Sequence, residues 1–125
     1  MIDESYVAGF FDGEGHSYIN NKGLVIIEIC NTYEKVLKLI NNKYGGTVKP
    51  FNYKPRGLIE KYKTFRKPQW RYRLFRQNQV LKFLSDIEPF LVIKPEIVNQ
   101  QIIYLKRPIN KGPQRIIKKE KKENE

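Results

Sequence analysis

Val7-Ala8-Gly9-Phe10-Phe11-Asp12-Gly13-Glu14-Gly15 is the stretch on which the reading of this chain turns. Tyr6 with Phe10 and Val7 with Phe11 are i,i+4 pairs, so a helix through these residues is apolar over most of its circumference. Such a helix must be buried on more than one side. Asp3 is its expected N-cap, and Glu4 in the first turn suits the positive end of the dipole. Gly13 and Gly15 are expected to end it. Ala8 and Gly9 remove side-chain bulk, and Gly9 and Gly13 repeat that economy four residues apart, which lets another helix backbone come close. A mid-helix glycine costs about 1 kcal/mol relative to alanine, and close packing is a reason to keep it.

Outward from the helix the hydrophobic period changes to two. Residues 16–22 and 24–31 read as a hairpin, with Asn20-Asn21-Lys22-Gly23 as its turn. Val25, Ile27 and Ile29 point one way; Leu24, Ile26, Glu28 and Cys30 point the other. Thr32 is the expected cap of a second helix, carrying Val36, Leu37, Leu39, Ile40 and Tyr44 and stopped by Gly45-Gly46. A third strand spans about 47–53, and residues 54–68 are rich in Lys, Arg and Pro. A fourth strand, 69–75, alternates Trp70, Tyr72 and Leu74 with Arg71, Arg73 and Phe75. A helix over 78–87, a connector over 88–94 and a last helix from Pro95 to Leu105 complete the pattern. The expected fold is therefore α+β: an αββαββα core with a four-stranded antiparallel sheet and helices on one face. Residues 1–108 are read as one domain and 109–125 as a basic, mobile tail.

Composition narrows the function. The 125 residues carry 24 Lys and Arg against 13 Asp and Glu, a net charge of +11, and such a field attracts polyanions. The apolar runs are too short to cross a bilayer, and Met1-Ile2-Asp3-Glu4 lacks the basic and apolar regions of a secretory leader. With only Cys30 and His16, neither an intrachain disulfide nor a zinc site is available, and an intracellular setting is expected.

The charges gather on one face of the expected sheet. Its outward set is Tyr18, Asn20, Lys22, Leu24, Ile26, Glu28, Lys49, Arg71 and Arg73, and Lys54 and Arg56 stand in the basic loop beside it. Arg reads guanine edges, Asn reads adenine edges, and Lys neutralises phosphate. A polar face is ordinary for a solvated antiparallel sheet, but here acidic residues are scarce. Tyr18, Asn20, Lys22, Ile26, Glu28, Lys49, Lys54, Arg56, Arg71 and Arg73 are the candidate contacts to DNA or RNA.

Residues 7–15 resemble the LAGLIDADG signature of homing endonucleases and related intron maturases. Ala8, Gly9, Asp12 and Gly15 are identical to it; Val7, Phe10, Phe11 and Glu14 are close substitutions; and Gly13 stands for alanine. The family more often carries Asp where Glu14 stands. The resemblance runs to about Leu105 and matches the element order of single-motif members. It implies a four-stranded saddle sheet and a metal-dependent DNA endonuclease acting as a homodimer on double-stranded DNA. One motif copy in the chain makes the partner an identical helix across a two-fold axis, with Val7, Ala8, Gly9, Phe10 and Gly13 expected in the interface.

Glu14 is then the catalytic carboxylate and, with the Gly13 carbonyl, the expected ligand of Mg²⁺ (or Mn²⁺), a cation that takes hard oxygen donors. The Asp12 position serves structure around the helix end in the family. Three further residues carry over as candidate catalytic groups: Asn31, an amide that orients solvent; Lys35, a basic residue flanking the site; and Lys94, after Pro89-Phe90-Leu91, similar to the family's run before its active-site lysine. Their bland readings are a helix cap, a solvated cation and a connector charge. The expected target is long and pseudo-palindromic, and the start at Met1 suits an intron-encoded gene rather than an intein. The alternative is a non-cleaving binder on the same fold, an intron RNA maturase or a transcriptional regulator.

Overall fold

The computed structural model describes residues 2–51 and 69–107. The elements are α1 (Glu4–Glu14), β1 (Gly15–Ile19), β2 (Val25–Asn31), α2 (Glu34–Tyr44), β3 (Thr47–Phe51), β4 (Gln69–Leu74), α3 (Gln77–Ile87), a 3-10 turn (Glu88–Phe90) and α4 (Pro95–Lys106). The strands form one antiparallel sheet in the order β1-β2-β4-β3. This is the α+β order that the alternation of periods implied. Among the described residues, no helix is long and apolar enough to cross a membrane.

One sheet face carries the core. Val25, Ile27 and Ile29 of β2 and Tyr72 and Leu74 of β4 are fully buried, with Val7, Ala8 and Phe11 of α1, Leu37 and Ile40 of α2, Val80, Phe83, Leu84 and Ile87 of α3, and Val98 of α4. Phe83 is the hub, meeting Phe11 and Tyr44 edge-on and Tyr72 in a stacked arrangement. The hydrophobic periodicity is thus satisfied element by element.

Four of the departures from the sequence expectation have a clear local reason. α1 runs through Gly13 to Glu14, because the Gly15 N–H closes the last turn on the Phe11 carbonyl. β1 stops at Ile19 instead of residue 22, because Asn20 Oδ1 accepts the N–H groups of Lys22 and Leu24 and starts the turn early. Thr32 does not cap α2, whose N-cap position is Tyr33 with no side-chain cap bond. Asn31 Oδ1 accepts the Tyr33 N–H at 2.8 Å instead. α3 begins at Gln77, whose amide accepts the Val25 N–H and donates to the Val25 and Phe75 carbonyls, binding β2 much as another strand would. The candidate residues Lys54 and Arg56, with the remainder of the basic stretch 54–68 and the tail 109–125, lie outside the described residues.

Gly46 is required by its backbone conformation and Gly15 by its neighbours. Gly46 has φ +104°, and a Cβ there would lie 2.5 Å from the Arg73 carbonyl oxygen. Gly15 joins α1 to β1 with no loop, and a Cβ there would lie 2.6 Å from Phe11 Cδ1 and 2.9 Å from Ile29 Cγ1. Both of those side chains are fully buried and have nowhere to move. Gly15→Ala should therefore lose about 1–3 kcal/mol of stability to overpacking, seen as a lower urea midpoint. An unchanged midpoint would show that the α1–β1 junction is looser than these distances imply.

Candidate functional site

The end of α1 is held by residues some eighty positions further on. Asp12 is buried, with 7% of its surface exposed. Its Oδ2 accepts the N–H of Val92 at 2.6 Å, and its Oδ1 accepts those of Ile93 and Lys94 at 3.1 Å each. Burial disfavours the charged carboxylate, but the three N–H donors and the Lys94 ammonium outweigh it and hold the pKa below its ordinary 3.8. Lys94 Nζ donates to the Phe11 carbonyl at 3.1 Å and to that of Gly15, and lies 5.1 Å from the centre of the Phe11 ring. α1 has no basic residue in its own last turn. The cation that complements the negative end of its dipole is supplied from the connector.

Held in this way, α1 leaves Gly13 and Glu14 exposed. The pairing of Gly15 with Ile29 places Asn31, two residues further along β2, at the same end of the sheet. Asn31 Oδ1 is engaged with Tyr33 N–H, as an amide closing a turn would be. Lys35 is exposed in the first turn of α2. Among the described residues, no three His, Cys, Asp or Glu side chains come together. With Asp12 engaged by the connector, the described residues bring a single exposed carboxylate, Glu14, and backbone carbonyls to this helix end. These are hard oxygens of the kind Mg²⁺ accepts, but too few to complete its shell without water, phosphate or a second molecule.

Val7 and Ala8 require a correction. Expected in a contact with another copy, they are fully buried against the chain's own core and out of reach of any partner. The outer side of α1 is made by Tyr6, Gly9, Phe10 and Gly13. Tyr6 is 52% exposed and stacks on the half-buried Phe10, and both glycines are exposed. A Cβ at Gly9 or Gly13 would meet nothing within 4 Å. Nothing among the described residues requires a glycine at either position.

On the sheet, the register places His16, Tyr18, Ile26, Glu28, Cys30, Lys49, Arg71 and Arg73 on the face opposite the helices. Lys49 and Arg71 are directly paired, and the Arg71 guanidinium lies 4.7 Å from the centre of the Phe51 ring. Lys22 is exposed in the hairpin turn. Two candidate contacts are not open. Ile26 is 3% exposed and Glu28 is 9% exposed. Glu28 Oε2 accepts the Tyr18 hydroxyl at 3.0 Å and meets Arg73 Nε at 2.8 Å. Arg73 Nη2 also donates to the Tyr18 oxygen at 3.3 Å. That hydroxyl bond, opposed by partial burial and aided by the Glu28 charge, keeps Arg73 still more firmly protonated than usual. Asn20 is likewise partly committed, since its side-chain oxygen serves the turn. His16 was missed by the sequence reading. It stacks on Tyr18 at 5.6 Å, with Nε2 3.6 Å from Glu28 Oε1. Its parity with Tyr18 was the available signal, hidden by its place beside the motif glycine.

No family model matches this sequence, and no curated protein matches it. Solved structures do. The homing endonuclease I-CvuI, solved in complex with its Sro1.3 target in the presence of Ca, aligns with a TM-score of 0.59 at 16% identity, over 82% of this chain and 64% of that one. The homing endonuclease I-TnaI aligns with a TM-score of 0.58 at 18% identity, over 82% and 72%. The archaeal intron-encoded homing endonuclease I-Vdi141I, solved with DNA, aligns at 0.53 and 18%, over 77% and 62%. This likeness shows a shared fold. The chain spans under two thirds of the I-CvuI and I-Vdi141I chains.

The tie at Asp12 generates an acid-stability prediction. Its folded pKa lies below the unfolded one, so its contribution is fully present above the unfolded value and is lost as pH falls through the folded one. Asp12→Asn keeps the size but turns one acceptor into a donor facing N–H groups. It should cost about 1–3 kcal/mol at neutral pH and flatten the acid limb of a plot of stability against pH. A variant as stable as the parent at pH 7 would mean that water or another group satisfies the three amides.

Proposed function

We propose that this chain is one half of a homodimeric, metal-dependent DNA endonuclease, a homing endonuclease of the single-motif LAGLIDADG type. The observation that carries the reading is that one helix presents both an exposed, glycine-bearing outer side and, at its end, an exposed Glu14. A second copy packed on Gly9 and Gly13 would bring two Glu14 carboxylates to one locus across a two-fold axis. The fold shared with homing endonucleases, two of which were solved with DNA, supports the same reading. So does the +11 net charge. A DNA substrate would place the protein inside a cell or organelle.

In this reading residues 1–108 form the nuclease domain, and the sheet face with Tyr18, Lys22, Lys49, Arg71 and Arg73 lies along the major groove, where long cations and amides reach base edges. Two-fold symmetry of the protein implies pseudo-symmetry of a long target. Glu14 and the Gly13 carbonyl would hold a divalent cation with water and phosphate oxygens. Bound there, such an ion lowers the pKa of a water and offsets charge on the leaving oxygen. The remaining work belongs to the chain. Asp12 fixes the connector against α1, and that connector sets Lys94 at the helix end. Two of the three Lys94 donors are engaged with carbonyls; the third is the one a scissile phosphate would take. Asn31 at the same sheet end would orient solvent, and Lys35 would add positive charge beside it.

Glu14→Gln should abolish cleavage of a selected DNA site in Mg²⁺ while retaining binding; a variant that still cuts would refute the role of Glu14. The helix side has an independent test. Gly9→Ala and Gly13→Ala meet nothing among the described residues and should raise the stability of the folded monomer by up to about 1 kcal/mol each through helix propensity. In sedimentation the same variants should shift the protein from dimer toward monomer. A dimer indifferent to both substitutions would place the two-fold contact elsewhere.

A further inference from the structure

The described part of the sheet face that would meet DNA has one buried acid, Glu28, and its placement is paradoxical for a surface that binds a polyanion. Both carboxylate oxygens are directed at neighbours on the same face. Oε2 takes the Tyr18 hydroxyl and the Arg73 Nε, and Oε1 faces His16 Nε2 at 3.6 Å. Tyr18 in turn accepts from Arg73 Nη2 and stacks on His16. The three strands involved place these residues side by side: His16 is opposite Glu28, and Glu28 is opposite Arg73. Tyr18 reaches the same carboxylate from two residues further along β1.

The chemistry of the guanidinium decides what this does. It is planar, with five N–H donors in a rigid fork. Contacts to Glu28 and Tyr18 use the edge formed by Nε and Nη2. They leave the terminal edge, with one N–H from each Nη, as the pair that matches O6 and N7 of guanine. A free arginine on a sheet would sweep several rotamers and reach phosphates and bases alike. One edge-clamped by a buried carboxylate and a hydroxyl has its plane fixed, while 44% of its side chain is still exposed.

We propose that Glu28 and Tyr18 form a positioning clamp that turns Arg73 from a general anion contact into a reader of one guanine in each half-site, with His16 closing the clamp by stacking on Tyr18. The clamp rests on the DNA-binding reading above and adds to it a division of labour: Arg73 touches the base, and Glu28 acts only through Arg73. The negative charge lowers the attraction of this face for DNA in general, so the clamp favours discrimination at the expense of affinity.

Selection of binding sites from a randomised DNA library, by the full-length protein in Ca²⁺, tests the clamp without any need for cleavage. The wild type should select a guanine at one position in each half-site. Glu28→Gln should bind bulk competitor DNA more tightly, because a negative charge is gone. It should also lose that single preference by roughly tenfold or more, the scale of one bidentate base contact, with preferences elsewhere retained. Tyr18→Phe removes only the hydroxyl, preserves the ring stack, and should relax the same position without the gain in bulk affinity. If the wild type selects sites and both variants keep its base preferences, the clamp is overturned while the DNA-binding reading stands. If the wild type selects no site, that reading fails and the clamp falls with it.

Discussion

The Asp12 carboxylate accepts the backbone N–H groups of Val92, Ile93 and Lys94, and this one side chain makes the first helix and the segment before the last helix a single rigid piece. Lys94 completes the joint by donating its ammonium to carbonyls at the end of the same helix. The Asp12 oxygens hold the backbone of a connector whose Val92 and Ile93 side chains face solvent, with charge-assisted bonds that are stronger than neutral ones. The direction in which α1 ends, and so the direction in which Glu14 leaves the fold, is set by this joint more than by the helix itself. Gly15 sets the other limit, since the chain passes from helix to strand between Phe11 and Ile29 with no space for a side chain.

Given that anchorage, α1 has two unlike sides. Val7, Ala8 and Phe11 belong to a packed interior centred on Phe83, and their burial accounts for why an apolar helix sits beside this sheet at all. Gly9 and Gly13, on the other side, are unexplained by any contact among the described residues. Helix propensity alone would favour alanine at both. Their presence makes sense if the constraint lies outside the monomer, and the exposed Tyr6 and half-buried Phe10 extend the same side in apolar form.

Much of this arrangement was legible in the residues. The switch from a helical to a two-residue period located β1 and β2, and the alternation of Trp70, Tyr72 and Leu74 with Arg71 and Arg73 assigned the two faces of β4 correctly. Asp3 caps α1 as its residue type implied. What escaped had non-local causes. Alternation assigns a residue to a face but not its exposure there: Glu28 is engaged by Tyr18 and Arg73 from the neighbouring strands, and Ile26 on the same face is 3% exposed. The helix pattern showed that Val7 and Ala8 are apolar or small, not which of two apolar sides faces the core. Gln77 binding the backbone of β2, and Lys94 completing the end of a helix some eighty residues earlier, depend on pairings that no local window contains.

The distance along the chain between Asp12 and its three amides also bears on the order in which the fold is completed during synthesis. Contacts between residues eighty or more positions apart are closed only after the intervening polypeptide exists. A nascent chain emerging from a ribosome makes its acidic helix first and the clasp that aims it nearly last. Incomplete products that stop short of residue 92 would carry the motif but lack the joint. Under the nuclease reading proposed above, the Glu14 end of α1 would be aimed only after the proposed DNA-contacting residues have been made, an ordering that follows from the sequence positions of Asp12 and Lys94 alone.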